Sequence, residues 1–267
     1  MSSKATESEA AAGAGPRRND QFVEAFAKGL EVIRAFPLQR PTATLAEIAQ
    51  NADLPRATVR RMLLTLVELG YATLDVDRFS LTPKLLDLGF VYLNSIPIYR
   101  CAQDVLETLA RELNELCSLS ILDGTEAVYL VRVQGRDFLS RGMGVGTRLP
   151  AYATSVGRVL LSALEPKQRQ QLLKGSSVKK LTPNTLTDLP ALTRAIEAAG
   201  RDGYSLVVEE LVLGVIGLSV PVRDRRGKVV AAAGISFNPA RFKKREAIDF
   251  YLPHLRRAAD EIALNLA

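Results

Sequence analysis

The chain has 267 residues, 47% of them hydrophobic and 24% charged, which is enough to bury a core and is typical of about two domains. It contains one histidine and two cysteines, whereas a structural zinc site uses about four such ligands and disulfide scaffolds use many cysteines. We therefore expect no zinc-dependent fold and a reducing, cytoplasmic location. The longest uncharged runs have 12 residues, against roughly 20 in a spanning helix, so no membrane partner is expected.

The net charge is concentrated in one part of the chain. Residues 1–95 carry 11 basic and 11 acidic residues, and the remaining 24 basic and 18 acidic residues account for the whole net charge of +6. Nucleic acid binding by the first domain would therefore have to rest on where individual basic residues lie.

Residues 1–20 are rich in Ala, Gly, Ser and Glu and lack the apolar core of a secretory signal, so they are predicted to be a disordered tail. The first helix is predicted over Phe22–Phe36, because apolar residues recur there at spacings of four and three and Pro37 ends the pattern. It opens the first folded domain.

The next segment has the pattern of a helix-turn-helix. Thr44, followed three residues later by Glu47, forms a capping box that starts a short helix. After a tight turn, a second helix is predicted from Pro55 to about Leu69, closed by Gly70. Two short helices joined by a short turn are the minimal DNA-binding motif.

The predicted exposed face of the second helix is the candidate DNA-reading surface. Its buried stripe is formed by Val59, Met62, Leu63 and Leu66, which lie within about 100° on a helical wheel. A recognition helix presents its N-terminal residues to base edges. The residues predicted to face DNA are Arg56, Ala57, Thr58, Arg60, Arg61 and Thr65. For the helix alone, simple solvation of these arginines remains an open alternative.

The segment after Gly70 favours the DNA-binding interpretation. Two short β-type runs, Tyr71–Leu74 and Arg78–Leu81, flank an Asp-containing turn, which predicts a hairpin like the wing of a winged helix. Arg78 is predicted at its tip, where it can meet a phosphate or the minor groove. Because these few arginines supply the contacts, binding should weaken steeply with salt.

These residues resemble the IclR-type bacterial transcriptional regulators. The shared blocks are Gly29–Ile33, Leu45–Ala49, Leu54–Arg61, Leu66 with Leu69–Tyr71, and Leu81–Gly89. Two further features resemble the branch that controls protocatechuate and 4-hydroxybenzoate catabolism: Phe22-Val23 before Ala27–Leu30, and Val91–Ser95 followed by Pro97.

The resemblance extends from Gln21 to the C-terminus and implies an α+β protein with three parts. They are a winged helix-turn-helix domain (21–82), a linker helix (83–96) and a GAF-like effector-binding and oligomerisation domain (97–267). The sequence pattern agrees with this order. It predicts helices over Pro83–Ser95, Ile98–Leu116, Ser155–Leu164, Leu189–Arg201 and Lys243–Leu266, and strands over Ser118–Leu122, Ala127–Val133, Tyr204–Val208, Val215–Val222 and Val229–Phe237.

No arrangement of residues in the second domain is typical of catalysis. The glycines of Gly142–Gly146 are not followed by a helix, as a dinucleotide site requires. Ser155 lacks the preceding glycine of a nucleophile elbow, and Glu209 and Glu210 point to opposite faces if they lie on a strand. We expect no catalytic residues and no cofactor, and the chain is predicted not to be an enzyme.

A ligand pocket is expected instead. Thr154 or Ser155 stands at the N-cap of a helix whose free backbone N–H groups, near Val156 and Gly157, can bind an anion. Arg148 and this helix terminus are the candidate donors to a carboxylate. The resemblance implies that the pocket is lined by Leu149, Ala151, Tyr152, Thr154, Ser155, Val156, Gly157, Glu209, Gly217, Ser219, Gly234 and Ser236. For the serines and threonines, ordinary capping and strand polarity is the alternative explanation.

Three positions differ from family members that bind very small keto acids. Those members tend to have Cys or Ser in place of Gly217, Ser in place of Gly234 and an acid in place of Val208. A roomier and less acidic pocket is therefore expected, which suits an aromatic carboxylate.

The prediction is a DNA-binding regulator of aromatic-acid catabolic genes that responds to a small aromatic carboxylate. Its expected partners are operator DNA, the effector, a second copy of the chain in a homodimer or homotetramer, and RNA polymerase. The alternatives are a regulator of another small-acid pathway, a ligand-independent regulator whose C-terminal domain only oligomerises, and an enzyme of small-acid metabolism fused to a DNA-binding domain.

Overall fold

The computed structural model describes residues 21–37, 40–134, 143–242 and 244–266. The tail predicted over residues 1–20 lies outside the described residues, as does Gly142 of the glycine-rich loop. The chain divides into two compact units with the boundary between Phe90 and Val91.

Ahead of the helix at the unit boundary, the described part of the N-terminal unit contains three helices and a small antiparallel sheet. The helices are α1 (Glu24–Arg34), α2 (Leu45–Ala52) and α3 (Arg56–Glu68), and the strands are β1 (Thr42–Thr44), β2 (Ala72–Asp75) and β3 (Arg78–Leu81). The strand order is β1-β3-β2. Strands β2 and β3 form the predicted hairpin, whereas β1 was not predicted, because three residues before a capping box carry no strand signal of their own.

Local sequence signals start and end the two central helices. The capping box is present: the Glu47 carboxylate accepts from the Thr44 amide at 2.8 Å, and the Thr44 hydroxyl accepts from the Glu47 amide at 3.3 Å. Asp53, with φ of 51°, ends α2, and Gly70, with φ of 76°, follows α3. The core beneath these helices is formed by Val32, Ala35, Ala43, Ile48, Ala49, Val59, Leu63, Leu66, Ala72 and Phe79.

Helix α4 (Leu85–Ser95) begins two residues after the predicted start of the linker helix and spans the boundary between the units. It has no buried residue, and its exposed large apolar side chains are Leu86, Leu88, Phe90, Val91 and Tyr92. Despite this apolar surface, none of the helices in the described part of the chain is long and apolar enough to cross a membrane.

The C-terminal unit is built on one antiparallel sheet of six strands in the order β6-β5-β4-β9-β8-β7. The strands are β4 (Leu116–Asp123), β5 (Glu126–Val133), β6 (Arg148–Pro150), β7 (Ser205–Val208), β8 (Ile216–Arg223) and β9 (Val229–Phe237). In the described part of this unit, the helices are α5 (Pro97–Leu113), α6 (Ser155–Ser162), α7 (Pro166–Gly175), α8 (Leu189–Asp202) and α9 (Lys244–Leu264), and a 3-10 turn covers Ala151–Ala153.

The sheet has a helical layer on each face. Helices α5 and α9 pack on one face and form the larger core, in which Phe237 and Tyr251 are completely buried. Helix α6 packs on the other face through Val156, Val159 and Leu160. This second face of the sheet contains the candidate ligand site.

The predicted boundary of one helix is wrong. Helix α5 ends at Leu113 rather than at Leu116, because Asn114 adopts a left-handed conformation with φ of 53° and Leu116 begins strand β4. Strand β6 and the 3-10 turn were not predicted, since each is only 3 residues long. Helix α7 was not predicted either.

Candidate functional site

The structure places most of the predicted DNA-reading residues on one exposed face of α3. Five of the six side chains, all except half-buried Thr58, are exposed: Arg56, Ala57, Arg60, Arg61 and Thr65. Val59, Leu63 and Leu66 on the opposite side are buried in the domain core. The first turn of α3 contains no acidic residue, so the positive end of its dipole adds to the arginine charges.

Arg78 has a structural role that the sequence did not indicate. It is the first residue of β3, next to the wing turn, but its Nε atom donates to the Thr42 hydroxyl at 2.9 Å. Its Nη2 atom lies 3.9 Å from the Glu47 carboxylate. The guanidinium therefore joins β3 to β1 and to α2, and its side chain is 42% exposed.

The C-terminal unit contains a cavity of about 660 Å³ between the sheet, the start of α6 and the loop that joins β7 to β8. Eight predicted pocket residues line it: Leu149, Thr154, Ser155, Val156, Gly217, Ser219, Gly234 and Ser236. The cavity is within the range of small-molecule sites. Among the described residues, hydroxyl groups, apolar side chains and the cationic side chain of Arg132 form its wall.

Five predicted pocket residues do not line the cavity: Arg148, Ala151, Tyr152, Gly157 and Glu209. The Arg148 guanidinium is held by the carboxylates of Asp123 and Glu126, each at 2.6 Å. These hydrogen bonds raise the pKa of the Arg148 guanidinium above its usual value, and the bond with Glu126 contributes most. The Tyr152 hydroxyl donates to the Lys179 carbonyl at 2.9 Å.

The other three residues, Ala151, Gly157 and Glu209, also lie outside the cavity wall for steric or hydrogen-bonding reasons. Ala151 is buried at the start of the 3-10 turn. A Cβ atom on Gly157 would lie 2.2 Å from the carbonyl oxygen of Ala151, so this glycine allows α6 to pack against the 3-10 turn. The Glu209 carboxylate accepts from the Gly214 amide at 2.7 Å and thus closes the base of the β7–β8 loop. Val208 also faces away from the cavity and packs on the larger core, while Val207 lines the cavity.

The start of α6 is arranged partly as the sequence predicts. Thr154 is the N-cap, and its hydroxyl accepts from the Gly157 amide at 3.1 Å. That amide is therefore already bonded, which corrects the expectation that it is free for a ligand. Ser155 forms a 2.7 Å hydrogen bond with Ser219 across the cavity wall.

Gly217 and Gly234 make room for these hydroxyl groups. A Cβ atom on Gly217 would lie 2.6 Å from the Ser155 Oγ atom. A Cβ atom on Gly234 would lie 2.8 Å from the Ser219 Oγ atom and 2.9 Å from a Val156 methyl carbon. Both glycines therefore enlarge the cavity, as the sequence comparison with the small-acid binders suggests.

Sequence reasoning missed the cation on the cavity wall. Arg132 and Tyr129 both line the cavity, although a spacing of three residues on a regular strand would put them on opposite faces. Leu119 pairs with Val131 and Ser120 pairs with Tyr129, so Leu130 is an extra residue in a β-bulge. The bulge turns Arg132 to the cavity side.

The electrostatics of the wall favour an anionic ligand. Burial raises the pKa of the Tyr129 hydroxyl, and the nearby Arg132 opposes this shift. Burial lowers the pKa of the Arg132 guanidinium. Among the described residues that line the cavity, Arg132 and Glu210 are the charged ones, and Glu210 forms an ion pair with Arg158 at 2.6 Å.

Comparisons with known proteins agree with both domains. The IclR helix-turn-helix domain matches residues 25–75, and the C-terminal domain of the bacterial transcriptional regulator IclR matches residues 90–264. The chain is 36% identical to the Pca regulon regulatory protein of Pseudomonas putida, over 92% of this chain and 84% of the relative.

Two further proteins are similar over nearly the whole chain. The p-hydroxybenzoate hydroxylase transcriptional activator of Acinetobacter baylyi is 33% identical, over 92% of both chains. A crystal structure of an IclR homologue complexed with 4-hydroxybenzoate, from Microbacterium hydrocarbonoxydans, has a TM-score of 0.79 and 26% identity, and covers 91% of this chain and 99% of that chain.

The two curated relatives are named as regulators, which confirms the prediction that this chain is not an enzyme. The helix-turn-helix and the mixed helix and sheet domain also confirm the predicted fold class. The chain belongs to the IclR family of bacterial transcriptional regulators.

Proposed function

We propose that this protein regulates genes of aromatic-acid catabolism in the cytoplasm, reading operator DNA through α3 and binding a small aromatic carboxylate in its C-terminal domain. The relatives named for the Pca regulon and for p-hydroxybenzoate hydroxylase support this pathway. The similar structure that contains 4-hydroxybenzoate supports the class of ligand.

The observation that carries the proposal is the composition of the cavity wall. Arg132, a half-buried cation, lines a space of about 660 Å³ together with hydroxyl groups and apolar side chains. An aromatic acid has a matching structure, because its carboxylate needs charge-assisted donors and its ring needs apolar contacts. We propose that Arg132, which lines the cavity, binds the carboxylate, rather than Arg148, which does not line it.

The DNA-binding half of the proposal rests on the exposed face of α3. Arg56, Arg60 and Arg61 are exposed at the N-terminal half of this helix, where a recognition helix contacts base edges and phosphates. Arg78 keeps part of its side chain exposed, and we propose that it contacts a phosphate at the wing.

Self-association is also proposed, because two helices expose apolar side chains that a monomer would leave in water. On α1, Phe26 is 69% exposed and Leu30 is 45% exposed. On α4, Val91 is 72% exposed and Leu86 is 62% exposed. We propose that these faces pair with the same faces of a second copy. RNA polymerase is a further proposed partner of the DNA-bound protein.

Titration calorimetry on the full chain tests the ligand. We expect 4-hydroxybenzoate, protocatechuate or phthalate to bind with a dissociation constant well below millimolar, and phenol, which lacks the carboxylate, to bind much more weakly. The Arg132→Gln variant should lose at least tenfold in affinity, whereas Arg148→Gln should bind as the wild type does. Millimolar or absent binding of all three acids would refute the aromatic-acid proposal.

A gel-shift titration with the upstream region of the neighbouring genes tests the link to DNA. We expect a saturating effector to change the operator affinity or the mobility of the complex, since an effector acts only through different affinities for two states. If none of the acids binds and none changes the operator complexes or transcription, the result would favour a ligand-independent regulator whose C-terminal domain only oligomerises.

A further inference from the structure

One wall of the ligand cavity is formed by an irregular loop between β7 and β8. Leu211, Val212, Leu213 and Gly214 of this loop line the cavity, although Val212 is 44% exposed and Leu213 is 58% exposed. A loop that presents apolar side chains both to solvent and to a cavity needs anchoring by other groups, because its burial alone contributes little.

The base of the loop is closed by Glu209. Its amide donates to the Val215 carbonyl at 2.9 Å, and its carboxylate accepts from the Gly214 amide at 2.7 Å. Glu209 has φ of 54° and Gly214 has φ of 78°, so the chain reverses sharply at both ends of the loop.

The loop is attached to the rest of the domain by a buried ion pair. The Arg158 Nη2 atom donates to the Glu210 carboxylate at 2.6 Å, and these side chains are 4% and 8% exposed. The same carboxylate accepts from the Leu186 amide at 2.9 Å, and the Glu210 carbonyl accepts from the Thr185 hydroxyl at 2.6 Å.

Arg158 is itself fixed in position. Its Nε atom donates to the carbonyl of Tyr152 at 3.0 Å, so the guanidinium is oriented by the 3-10 turn that precedes α6. Arg158 lies on α6, one turn after Ser155, and both Ser155 and Glu210 line the cavity. The ion pair therefore connects α6 to the loop, two elements whose residues would contact a ligand.

The ion pair also affects the charge that the loop side of the cavity presents to an anionic ligand. Glu210 is the acidic residue among the described residues of the cavity wall, and an uncompensated carboxylate there would repel a ligand carboxylate at short range. Arg158 does not line the cavity, and of the two residues that its guanidinium contacts, Tyr152 and Glu210, it is Glu210 that does.

We propose that Arg158 is a positioning residue: through its buried ion pair with Glu210, it holds the Glu210–Gly214 loop in place as the wall of the effector pocket and neutralises that wall for an anionic ligand. This inference rests on the proposed function for the identity of the ligand. The positioning of the loop can be tested without any ligand.

Two variants separate positioning from charge. Arg158→Met removes the cation and leaves the Glu210 carboxylate uncompensated, whereas Glu210→Gln removes the negative charge and keeps the shape of the side chain. In the ligand-free full chain, we expect both variants to accelerate hydrogen exchange of the amides at residues 211–215 by at least tenfold relative to those of α8.

Ligand affinity then measures the effect of the negative charge on Glu210. With 4-hydroxybenzoate as the probe, we expect Arg158→Met to lose at least tenfold more affinity than Glu210→Gln, because only the first leaves a negative charge on the wall. The double variant should recover most of the difference from Arg158→Met. A purely structural role of the pair would not give this recovery.

The matched control is Arg169→Met. Arg169 is also a buried arginine of this domain, and it pairs with Glu197 at 3.1 Å, but neither residue lines the cavity. We expect this variant to leave both the loop exchange and the affinity unchanged. If Arg158→Met does not fold, Glu210→Gln and Thr185→Val, which removes the hydroxyl that holds the Glu210 carbonyl, supply the loop measurement.

The outcomes are distinguishable. Unchanged loop exchange in the folded variants, or the same acceleration in Arg169→Met, would overturn the inference. If the variants show accelerated loop exchange but the wild-type protein binds none of the aromatic acids, the positioning role is supported and the proposed function is refuted. Equal affinity losses in Arg158→Met and Glu210→Gln would overturn the charge part of the inference.

Discussion

The Gly217→Ala variant tests how the cavity is built. The added Cβ atom would lie 2.6 Å from the Ser155 Oγ atom, so the Ser155 side chain must rotate and break its 2.7 Å hydrogen bond with Ser219. Losing that bond costs about 1 kcal/mol. An alanine in place of a strand glycine contributes roughly 0.5–1 kcal/mol in the opposite direction. We therefore expect the free energy of unfolding to change by less than about 1 kcal/mol.

The same methyl group should have a much larger effect on the ligand. It would occupy the cavity wall next to Ser155, and one extra methylene-sized group in a pocket changes affinity by about 10- to 200-fold. We expect the affinity for 4-hydroxybenzoate to fall at least about tenfold, which corresponds to about 1.4 kcal/mol. Urea unfolding followed by circular dichroism measures the stability, and titration calorimetry measures the affinity.

Gly175→Ala is the matched control, because a Cβ atom there meets nothing within 4 Å. It should leave the affinity unchanged and change the free energy of unfolding by no more than the roughly 0.5–1 kcal/mol that alanine gains over glycine in a helix. Wild-type affinity in Gly217→Ala would show that the cavity wall at Ser155 does not contact the ligand. A loss of several kcal/mol in stability would show that Ser155 cannot rotate, and would refute the energetic reasoning.

Three other substitutions test separate parts of the molecule. Arg61→Ala should lower specific operator affinity by roughly 1–3 kcal/mol if the Arg61 guanidinium pairs with a guanine. Fluorescence anisotropy at several salt concentrations measures the affinity. An equal loss of affinity in the control Arg194→Ala would contradict the prediction. Thr154→Val removes the N-cap of α6 and should cost about 1 kcal/mol in the free energy of unfolding, so an unchanged urea midpoint would argue against the cap. Hydrogen bonds from the Thr44 amide and hydroxyl hold the pKa of Glu47 below its ordinary value of 4.5, so its charged form stabilises the fold above that pH and the stabilisation is lost as the pH falls through the lowered pKa. The thermal midpoint of Glu47→Gln should accordingly lie below that of the wild type at neutral pH and approach it as the pH falls below the lowered pKa of Glu47. A difference that does not depend on pH would contradict this assignment.

The sequence by itself determined the features that depend on a few neighbouring residues. The Thr44 and Glu47 capping box, the wing hairpin and the exposed arginine face of α3 follow from spacing and turn chemistry, because helix caps, turns and amphipathic faces are set by local backbone geometry. The turn that joins β8 to β9 also follows from such local chemistry, since the Asp224 carboxylate accepts from the amides of Arg226 and Lys228, each at 2.9 Å.

Only the tertiary structure decided which charged groups are available for binding. Arg78 bonds to Thr42, 36 residues away in the chain, and Arg148 is held by two carboxylates, so neither guanidinium is as open as its position in the sequence suggests. Arg132 reaches the cavity because a β-bulge shifts the alternation of β5. Strand register, bulges and buried ion pairs arise from contacts between distant segments, and a local pattern carries no information about them.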